Sequence, residues 1–278
     1  MVTRKITIKN VNVGGDSPLA VIAGPCVVEN RDLIFRTANR LCEITSKYGV
    51  SFIFKSSYKK ANRTSLSGFT TIGIDESLKI LSDVQKEFHI PVLTDVHTIE
   101  EVEIAASVAD VLQIPAFLCR QTDLLTKAGE SGKPINVKKG QFLAPDDMKY
   151  VIEKIIAVGN QDVLLCERGT TFGYHNLVVD MRSLVMMRKF GYPVVFDATH
   201  SVQLPSVTNM SGGEPEFIYP LARAAAAVGI DALFIETHPN PAQAMSDAAS
   251  QLPLDSFESL LQSVLAIDRC IRRTNDVL

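Results

Sequence analysis

Residues that can do chemistry stand at or just past the ends of eight short apolar runs. The runs span 19–26, 51–57, 91–97, 111–116, 134–140, 163–169, 193–200 and 232–238. The residues at their ends are Cys26, Lys55, Asp95 with His97, Gln113, Lys138, Arg168, His200 and Glu236. A parallel strand that is covered on both faces has a continuous apolar sequence. The pattern predicts one shared site at one mouth of a sheet, which in a (β/α)₈ barrel is the C-terminal, catalytic face.

Cations form the first cluster of chemical interest. They come from three strand ends or the loops that follow: Lys55, Lys60, Arg63, Lys138 and Arg168. Clustered cations repel one another and are hard to desolvate, unless a ligand brings the compensating charge. The cluster therefore predicts a phosphate or carboxylate ligand, with arginine as a bidentate contact and lysine as a point charge. The alternative is that each cation pairs with a nearby acid such as Asp95, Glu167 or Asp197.

A second cluster could hold a metal ion. Cys26, His200 and Glu236 end the first, seventh and eighth runs, and Asp247 lies in the loop after the eighth. The first and eighth strands are neighbours in a closed barrel. A thiolate, an imidazole and two carboxylates suit Zn²⁺, Fe²⁺ or Mn²⁺ rather than Ca²⁺. Alternatively, Cys26 is a small packed hydrophobic residue, His200 is hydrogen-bonded and the acids are solvated.

Two further histidines, His97 and His238, also end apolar runs. Each is either a general base or a histidine satisfied by a neighbouring carboxylate. The chain has no GxxxxGK[ST] motif and no GxGxxG after a strand, so nucleotide binding has no support.

Helical patterns separate the apolar runs. Residues 31–48 place apolar side chains on one stripe at helical spacing, and Gly49 ends the pattern. Further helices are expected at about 76–88, 98–109, 120–130, 146–158, 176–190, 216–228 and 254–273. Strand and helix alternate eight times, which is typical of βαβ units and a parallel sheet. We expect an α/β fold, a (β/α)₈ TIM barrel; an open doubly wound sheet is the alternative.

Three features complete the expected organisation. Residues 5–15 alternate polar and apolar and predict a short β-hairpin that plugs the N-terminal end of the barrel. Two connections, 58–75 and 201–215, are long and predict lids or substrate loops, with passive insertions as the alternative. No low-complexity linker divides the chain, so residues 1–278 are expected to form a single domain.

Composition excludes several classes of protein. The chain has 278 residues, of which 46% are hydrophobic and 21% are charged, which suits one barrel with a large core. A net charge of -3 with no long basic run argues against nucleic-acid and membrane partners. No apolar stretch approaches the ~18 residues of a spanning helix, and the N-terminus lacks a signal-peptide core, so a cytoplasmic location is expected. Five widely spaced cysteines without CxxC argue against a disulfide framework.

Several segments carry a resemblance to a known family: AGPCVVEN, FKSSYKKANRTS, LTDVH, LQIPAFLCRQTDLL, INVKKGQF, CERGTTFGYHNLVVDM, FDATHSVQ and FIETHPNP. Over nearly its whole length the chain resembles the 3-deoxy-D-manno-octulosonate 8-phosphate synthases. The resemblance implies the condensation of phosphoenolpyruvate with D-arabinose 5-phosphate and the release of inorganic phosphate, a step in lipopolysaccharide (Kdo) biosynthesis. It also implies a (β/α)₈ barrel that assembles as a homotetramer.

The resemblance assigns roles to individual residues. Metal-dependent members have cysteine at the position of Cys26 and the others have asparagine, so a divalent transition metal is implied, with Cys26, His200, Glu236 and Asp247 as ligands. The implied catalytic residues are Lys55, Lys60, Asp95, His200 and Asp247. The implied substrate contacts are Ser57, Asn62, Arg63, Gln113, Pro115, Ala116, Arg120, Lys138 and Arg168. Asn62 and Arg63 belong to the KANR loop for the pentose phosphate, and Arg120 is expected to complete the site of a neighbouring subunit.

Two alternatives to this function stay open at the sequence level. One is another phosphoenolpyruvate-dependent synthase, making a heptulosonate phosphate or a sialic acid; heptulosonate-phosphate synthases carry a KPRT-type loop where this chain has KANR. The other is a non-catalytic phosphosugar-binding protein that kept the pocket.

Overall fold

Eight parallel strands close into a barrel in the computed structural model, which describes residues 2–63, 66, 68–205 and 212–275. The strands are β1 (Ala20–Gly24), β2 (Phe52–Lys55), β3 (Val92–Asp95), β4 (Val111–Ile114), β5 (Ile135–Lys138), β6 (Val163–Glu167), β7 (Val194–Asp197) and β8 (Ala232–His238). Each pairs with the next, and β8 pairs with both β7 and β1. This closure confirms the predicted (β/α)₈ barrel and excludes the open sheet.

Within the described ranges, eight α-helices surround the barrel. They are α1 (Arg31–Tyr48), α2 (Ile74–Phe88), α3 (Ile99–Ala106), α4 (Thr122–Glu130), α5 (Met148–Ile156), α6 (Arg182–Arg188), α7 (Ile218–Val228) and α8 (Leu254–Asn275). The first shows why the sequence folds this way locally: the Asn30 side chain accepts the Leu33 N–H at its start, and Gly49, in the left-handed conformation, ends it. No helix in the described part of the chain is long and apolar enough to cross a membrane.

The N-terminal hairpin is also as predicted. Strands Ile6–Ile8 and Val11–Val13 pair antiparallel. Their buried side chains belong to the same apolar cluster as Ala20, Ile53 and Phe234 inside the barrel. The hairpin therefore fills the interior of the barrel at the end where the strands begin.

Two apolar cores flank the barrel wall because side chains alternate between the two faces of a strand. On β2, Ile53 belongs to the interior cluster, whereas Phe52 and Phe54 pack in the larger core beneath the helices. The next interior position after Ile53 is Lys55. On other strands, too, an apolar interior residue is followed two positions later by a polar one. The barrel interior is therefore apolar where the strands begin and polar at the C-terminal mouth.

The prediction of a helix over 176–190 is wrong at its start. Helix α6 begins at Arg182, because Leu177–Val178 pair antiparallel with Thr170–Thr171 instead. The Asp180 side chain then accepts the Arg182 N–H at the start of the helix. Other short elements lie between the main ones: strands Gln203–Leu204, Gly212–Gly213 and Leu252–Pro253, and 3₁₀ turns Ala116–Leu118, Pro145–Asp147, His200–Val202, Pro215–Phe217 and Pro241–Gln243.

The two long connections are only partly covered by the structure. Residues 64, 65 and 67 of the first and 206–211 of the second lie outside the described residues. The predictions of lids or substrate loops there stay predictions.

Candidate active site

Because side chains alternate between the two faces of each strand, the residues predicted to do chemistry line one cavity. Two residues beyond the interior positions Ile53, Leu93 and Val111 come Lys55, Asp95 and Gln113. The cavity at this mouth, of about 280 Å³, has the following walls: Lys55, Ser57, Lys59, Lys60, Ala61, Asn62, Asp95, His97, Gln113, Pro115, Ala116, Phe117, Leu118, Lys138, Gln141, Arg168, His200, Gln203, Pro205, Glu236 and Asp247. Most of the predicted site residues are therefore brought together.

A close approach of β1 and β2 fixes the positions of Cys26 and Lys55. A Cβ added to Gly24 would lie 2.1 Å from the carbonyl oxygen of Lys55, so only glycine fits at this strand end. Two residues further on, the Cys26 carbonyl accepts a hydrogen bond of 2.9 Å from Lys55 Nζ. The glycine thus lets Cys26 and Lys55 share one corner of the site.

The lysines in the cavity have acidic partners. Lys55 Nζ lies 2.5 Å from Glu236 Oε1, and Lys60 donates to Asp247 Oδ2. Lys138 Nζ lies 2.6 Å from Asp197 Oδ2. The alternative in which the cations pair with acids therefore holds for all three lysines, because β8, the loop after β8 and β7 supply a carboxylate to Lys55, Lys60 and Lys138, respectively.

These pairs keep the lysines charged despite burial. Burial lowers the pKa of Lys55, but Glu236 and Asp95 outweigh it and leave the pKa raised. For Lys60 burial also acts to lower the pKa, and Asp247 and Cys26 outweigh it. Both side chains are therefore ammonium ions at neutral pH.

Arg168 is the exception among the cations. It is 3% exposed, and no described carboxylate lies within ion-pair distance of its guanidinium. Its Nη2 donates to Gln203 Oε1 at 2.7 Å, whereas Nε and Nη1 have no partner within the described part of the chain. Burial lowers the pKa of Arg168, yet a guanidinium stays protonated in proteins. Because buried unpaired donors are costly, the arrangement is suited to an incoming anion.

Three of the four proposed metal ligands form a compact cluster. The donor atoms of Cys26, Glu236 and Asp247 all lie within 4.8 Å of one another, with Cys26 Sγ 3.2 Å from Asp247 Oδ2. His200 Nε2 lies 3.7 Å from Glu236 Oε2 and 4.0 Å from Asp247 Oδ2. Donors bound to one tetrahedral ion at ~2.0–2.3 Å are roughly 3.3–3.8 Å apart. Glu236 Oε2 is buried without a hydrogen-bond partner in the described chain, so the four residues fit a divalent ion.

His200 is oriented by a carboxylate behind it. Its Nδ1 lies 2.8 Å from Asp197 Oδ2, and Asp197 Oδ1 accepts the backbone N–H of His200 at 2.9 Å. Burial acts to raise the pKa of Asp197, but His200 and Lys138 outweigh it and hold the pKa well below its usual range. A carboxylate at Nδ1 favours the proton there, which leaves Nε2 as a ligand atom. The sequence predicted Asp197 only as a possible partner for a cation. It is two residues beyond Val195, an interior position of β7, so the alternation along the strand also indicates that it faces the site.

Asp95 is the centre of a hydrogen-bond network rather than an isolated acid. Ser57 Oγ donates to its Oδ2, and Gln113 Nε2 donates to its Oδ1 at 2.5 Å. Asn136 in turn donates to Gln113 Oε1 at 2.8 Å. Burial acts to raise the pKa of Asp95, but Lys55 and His97 outweigh it and lower the pKa. Asp95 is thus an ionised anchor for Ser57 and Gln113.

The remaining predicted residues divide into two groups. Asn62, Pro115 and Ala116 line the cavity. Arg63 and Arg120 are exposed and are not among the lining residues; Arg63 donates to Thr70 Oγ1. The structure leaves their proposed phosphate contacts as predictions.

His97 and His238 each have a carboxylate nearby, which agrees with the alternative that a neighbouring carboxylate satisfies the histidine. His97 Nδ1 lies 3.1 Å from Glu101 Oε2, and His238 Nε2 lies 3.6 Å from Glu29 Oε1. Sequence reasoning missed Gln141 and Gln203, which also line the cavity. Both lie in segments that carry the family resemblance, INVKKGQF and FDATHSVQ, and that was the signal that could have found them.

Fold and site together define a class: a (β/α)₈ barrel whose C-terminal mouth combines a cluster of buried cations with a set of thiol, imidazole and carboxylate side chains. Residues 3–272 match the model of the DAHP synthetase I family, and the chain belongs to that family. A 2-dehydro-3-deoxyphosphooctonate aldolase of Citrifermentans bemidjiense is 54% identical over 272 residues, or 98% of this chain and 100% of its own. Proteins with the same name from Bordetella petrii and Stenotrophomonas maltophilia are each 56% identical, over 96% and 94% of this chain and 96% and 95% of their own.

Proposed function

We propose that this enzyme is a transferase that condenses phosphoenolpyruvate with D-arabinose 5-phosphate, giving 3-deoxy-D-manno-octulosonate 8-phosphate and inorganic phosphate, a step in lipopolysaccharide biosynthesis. The observation that carries the proposal is the near-complete match, at 54–56% identity, to relatives named 2-dehydro-3-deoxyphosphooctonate aldolase. The buried cations of the cavity support it, since both substrates are anions.

The two substrates are assigned to two parts of the mouth. Lys138 and Arg168, at neighbouring strand ends, are proposed to hold the phosphate of phosphoenolpyruvate, and Arg168 has unpaired donors for it. Gln113 and the backbone of Pro115 and Ala116 would bound the same substrate. The KANR loop would hold the phosphate of the pentose through Asn62 and Arg63. Charge-assisted contacts of this kind are about twice as strong as neutral ones.

The reaction needs one carbon–carbon bond and one molecule of water. C3 of phosphoenolpyruvate attacks the aldehyde carbon, whose oxygen takes up a proton, while water adds to C2 and loses one. The phosphate then leaves and C2 becomes the ketone carbon. Lys55 and Lys60 would stabilise the charge that grows on the reacting oxygens, and His200 or Asp247 would carry the proton. Asp95 would keep Ser57 and Gln113 in place.

We propose that a divalent transition metal, Zn²⁺, Fe²⁺ or Mn²⁺, is bound by Cys26, His200, Glu236 and Asp247. Such an ion supplies Lewis-acid polarisation of a substrate oxygen or activates water. Glu236 and Asp247 are also the partners of Lys55 and Lys60. An ion that neutralises the two carboxylates would leave the two ammonium groups available to the anionic substrates.

Assembly as a homotetramer belongs to the same proposal. Arg120 is exposed just after the turn that follows β4. Phe117 and Phe142, near the same mouth, are 55% and 57% exposed. Exposed aromatic side chains of this kind support a contact with another subunit. A cytoplasmic location stays a prediction from the sequence.

The test is phosphate release from phosphoenolpyruvate with each sugar, before and after chelation. D-arabinose 5-phosphate should support turnover, whereas D-erythrose 4-phosphate and N-acetylmannosamine should not. Turnover with either of the latter alone would favour a heptulosonate-phosphate or sialic acid synthase. Binding of the substrates without any release of phosphate would favour a non-catalytic binding protein.

A further inference from the structure

A buried ion pair lies directly behind the two proposed phosphate-binding residues. Lys139 follows Lys138 at the end of β5, and Glu167 precedes Arg168 at the end of β6. Lys139 Nζ lies 3.4 Å from Glu167 Oε1, and the two side chains are 0% and 1% exposed. Neither residue lines the cavity, and the proposed reaction uses neither.

Strand alternation explains where this pair sits. Lys138 shares the interior face of β5 with Asn136, whereas Lys139 follows Ile135 and Val137, which pack in the core beneath the helices. Glu167 follows Leu165 of the same outer core. The pair therefore occupies the shell between barrel and helices, where charged side chains are rare unless paired.

The two side chains connect the loops that leave β5 and β6. Glu167 Oε1 accepts the backbone N–H of Arg168 at 2.9 Å and of Gly169 at 2.7 Å. The ammonium of Lys139 lies within hydrogen-bond distance of acceptors in both loops: the carbonyls of Gly140 at 3.4 Å, Leu143 at 3.3 Å and Gly169 at 3.3 Å, and Thr170 Oγ1 at 3.0 Å. The backbone is held on both sides of Arg168.

We propose that Lys139 and Glu167 are positioning residues that fix Lys138 and Arg168 relative to each other for phosphoenolpyruvate. Replacing a buried ion pair by apolar residues of similar volume is often neutral for stability, so burial alone does not explain why charges are used here. What apolar residues could not do is bind backbone carbonyls and amides of two separate loops at once. The inference rests on the proposed function, since it takes Lys138 and Arg168 as the phosphate contacts.

The test uses a double variant that leaves no unpaired buried charge, Lys139→Met/Glu167→Gln. Its matched control is Arg188→Met/Asp231→Asn, which removes another ion pair, of 3.0 Å, at the opposite end of the barrel, where Asp231 is buried and Arg188 is partly buried. Phosphoenolpyruvate binding is measured by calorimetry, and KM and kcat are measured for both substrates. We expect the dissociation constant and KM for phosphoenolpyruvate to rise about tenfold in the first variant, because small misplacements of binding groups are costly. KM for the pentose phosphate should not change, and the control should bind phosphoenolpyruvate like the wild type.

A conservative variant, Lys139→Gln/Glu167→Gln, keeps a donor and an acceptor and should recover part of the affinity; it also provides the test if the first variant does not fold. The positioning role is wrong if a folded variant binds phosphoenolpyruvate like the wild type, or if the control loses as much affinity. A wild-type enzyme that does not bind phosphoenolpyruvate would overturn the proposed function itself.

Discussion

At the scale of single residues, the cations of the cavity differ in whether a carboxylate of the protein already balances their charge. Lys55, Lys60 and Lys138 each have a carboxylate within ion-pair distance, so their charge is balanced before any ligand arrives. Arg168 keeps two buried donors without a partner in the described chain. The guanidinium is thus the cation in the cavity that an incoming anion would stabilise most.

The first prediction concerns the thiol of Cys26. Cys26→Ala should lower the bound content of divalent transition metal and the rate of phosphate release, because it removes one of four proposed donors. Burial, followed by Glu236, raises the pKa of this thiol. Since the thiolate is the ligand, metal uptake must release its proton, and metal affinity should increase with pH.

Elemental analysis of the purified protein and competition with a chelator at several pH values would check this. Cys42→Ala serves as control, because Cys42 lies on α1 away from the cluster. Equal metal content in Cys26→Ala and wild type would contradict the ligand assignment.

The second prediction separates the two phosphate contacts. Arg63→Ala should raise KM for D-arabinose 5-phosphate about ten- to hundredfold and change KM for phosphoenolpyruvate less, since a charged hydrogen bond contributes ~1.5–3 kcal/mol. Lys138→Met should have the reverse effect. Steady-state kinetics with each substrate varied in turn is the measurement, with the thermal midpoint as a check, because Lys138→Met leaves Asp197 without its lysine. Equal effects of both variants on both substrates would remove the assignment of two contacts.

At the scale of secondary-structure elements, alternation along strands explains both what the sequence predicted and what it missed. The ends of apolar runs were visible in the sequence, so Lys55, Gln113 and Arg168 could be assigned to the mouth. Which carboxylate pairs with which lysine depends on how non-adjacent strands face each other inside the barrel mouth, as β2 and β8 do for Lys55 and Glu236. The sequence of one segment carries no information about that. The prediction of where α6 starts failed for a related reason, since Leu177–Val178 pair with Thr170–Thr171 across a turn.

The third prediction concerns Glu101 on α3, which anchors the start of the β2–α2 connection. Its carboxylate accepts from Tyr58 Oη at 2.6 Å and from the His97 backbone at 3.0 Å, and it pairs with Lys59. Burial acts to raise the pKa of Glu101, but the hydrogen bonds from His97, Lys59 and Tyr58 outweigh it and lower the pKa. Glu101→Gln should therefore destabilise the protein by ~1–3 kcal/mol at neutral pH.

The sign of the pH dependence follows from that lowered pKa. The contribution of Glu101 is fully present above its unfolded pKa, ~4.3, and is lost as pH falls through the lower folded value. The difference in stability between wild type and Glu101→Gln should therefore shrink in acid. Unfolding followed at pH 7, 5 and 4 gives the answer, with Glu87→Gln, an exposed position on α2, as control. A difference that stays constant with pH would show that the ionised carboxylate is not what stabilises the loop.

At the scale of the whole molecule, closure of the barrel is what makes the site. Cys26 and Glu236 are 210 residues apart in the sequence, yet β1 and β8 are hydrogen-bonded neighbours, with Gly24 opposite Glu236. The alternation of strands and helices was enough to predict this closure, which brings Cys26 and Glu236 together. The assignment of these residues to a metal needed the family resemblance as well. It could not place Arg63 and Arg120, because exposed side chains are not fixed by packing within one subunit. We propose that residues 1–278 form one domain, which predicts a single cooperative unfolding transition.

The last prediction concerns assembly. If Arg120 completes the pentose-phosphate site of a neighbouring subunit, Arg120→Ala and Arg63→Ala each remove a different half of that site, and both have low activity when D-arabinose 5-phosphate is limiting. Subunit exchange between the two variants would create some sites with Arg63 from one subunit and Arg120 from the other. Activity should therefore rise above that of either parent, with exchange confirmed by native mass spectrometry. If Arg120 instead serves its own subunit, no mixed oligomer contains a site with both arginines, and activity should not rise. Exposure of Arg120 just past the mouth favours the first outcome, because Arg120 is not among the described residues that line the cavity of its own subunit.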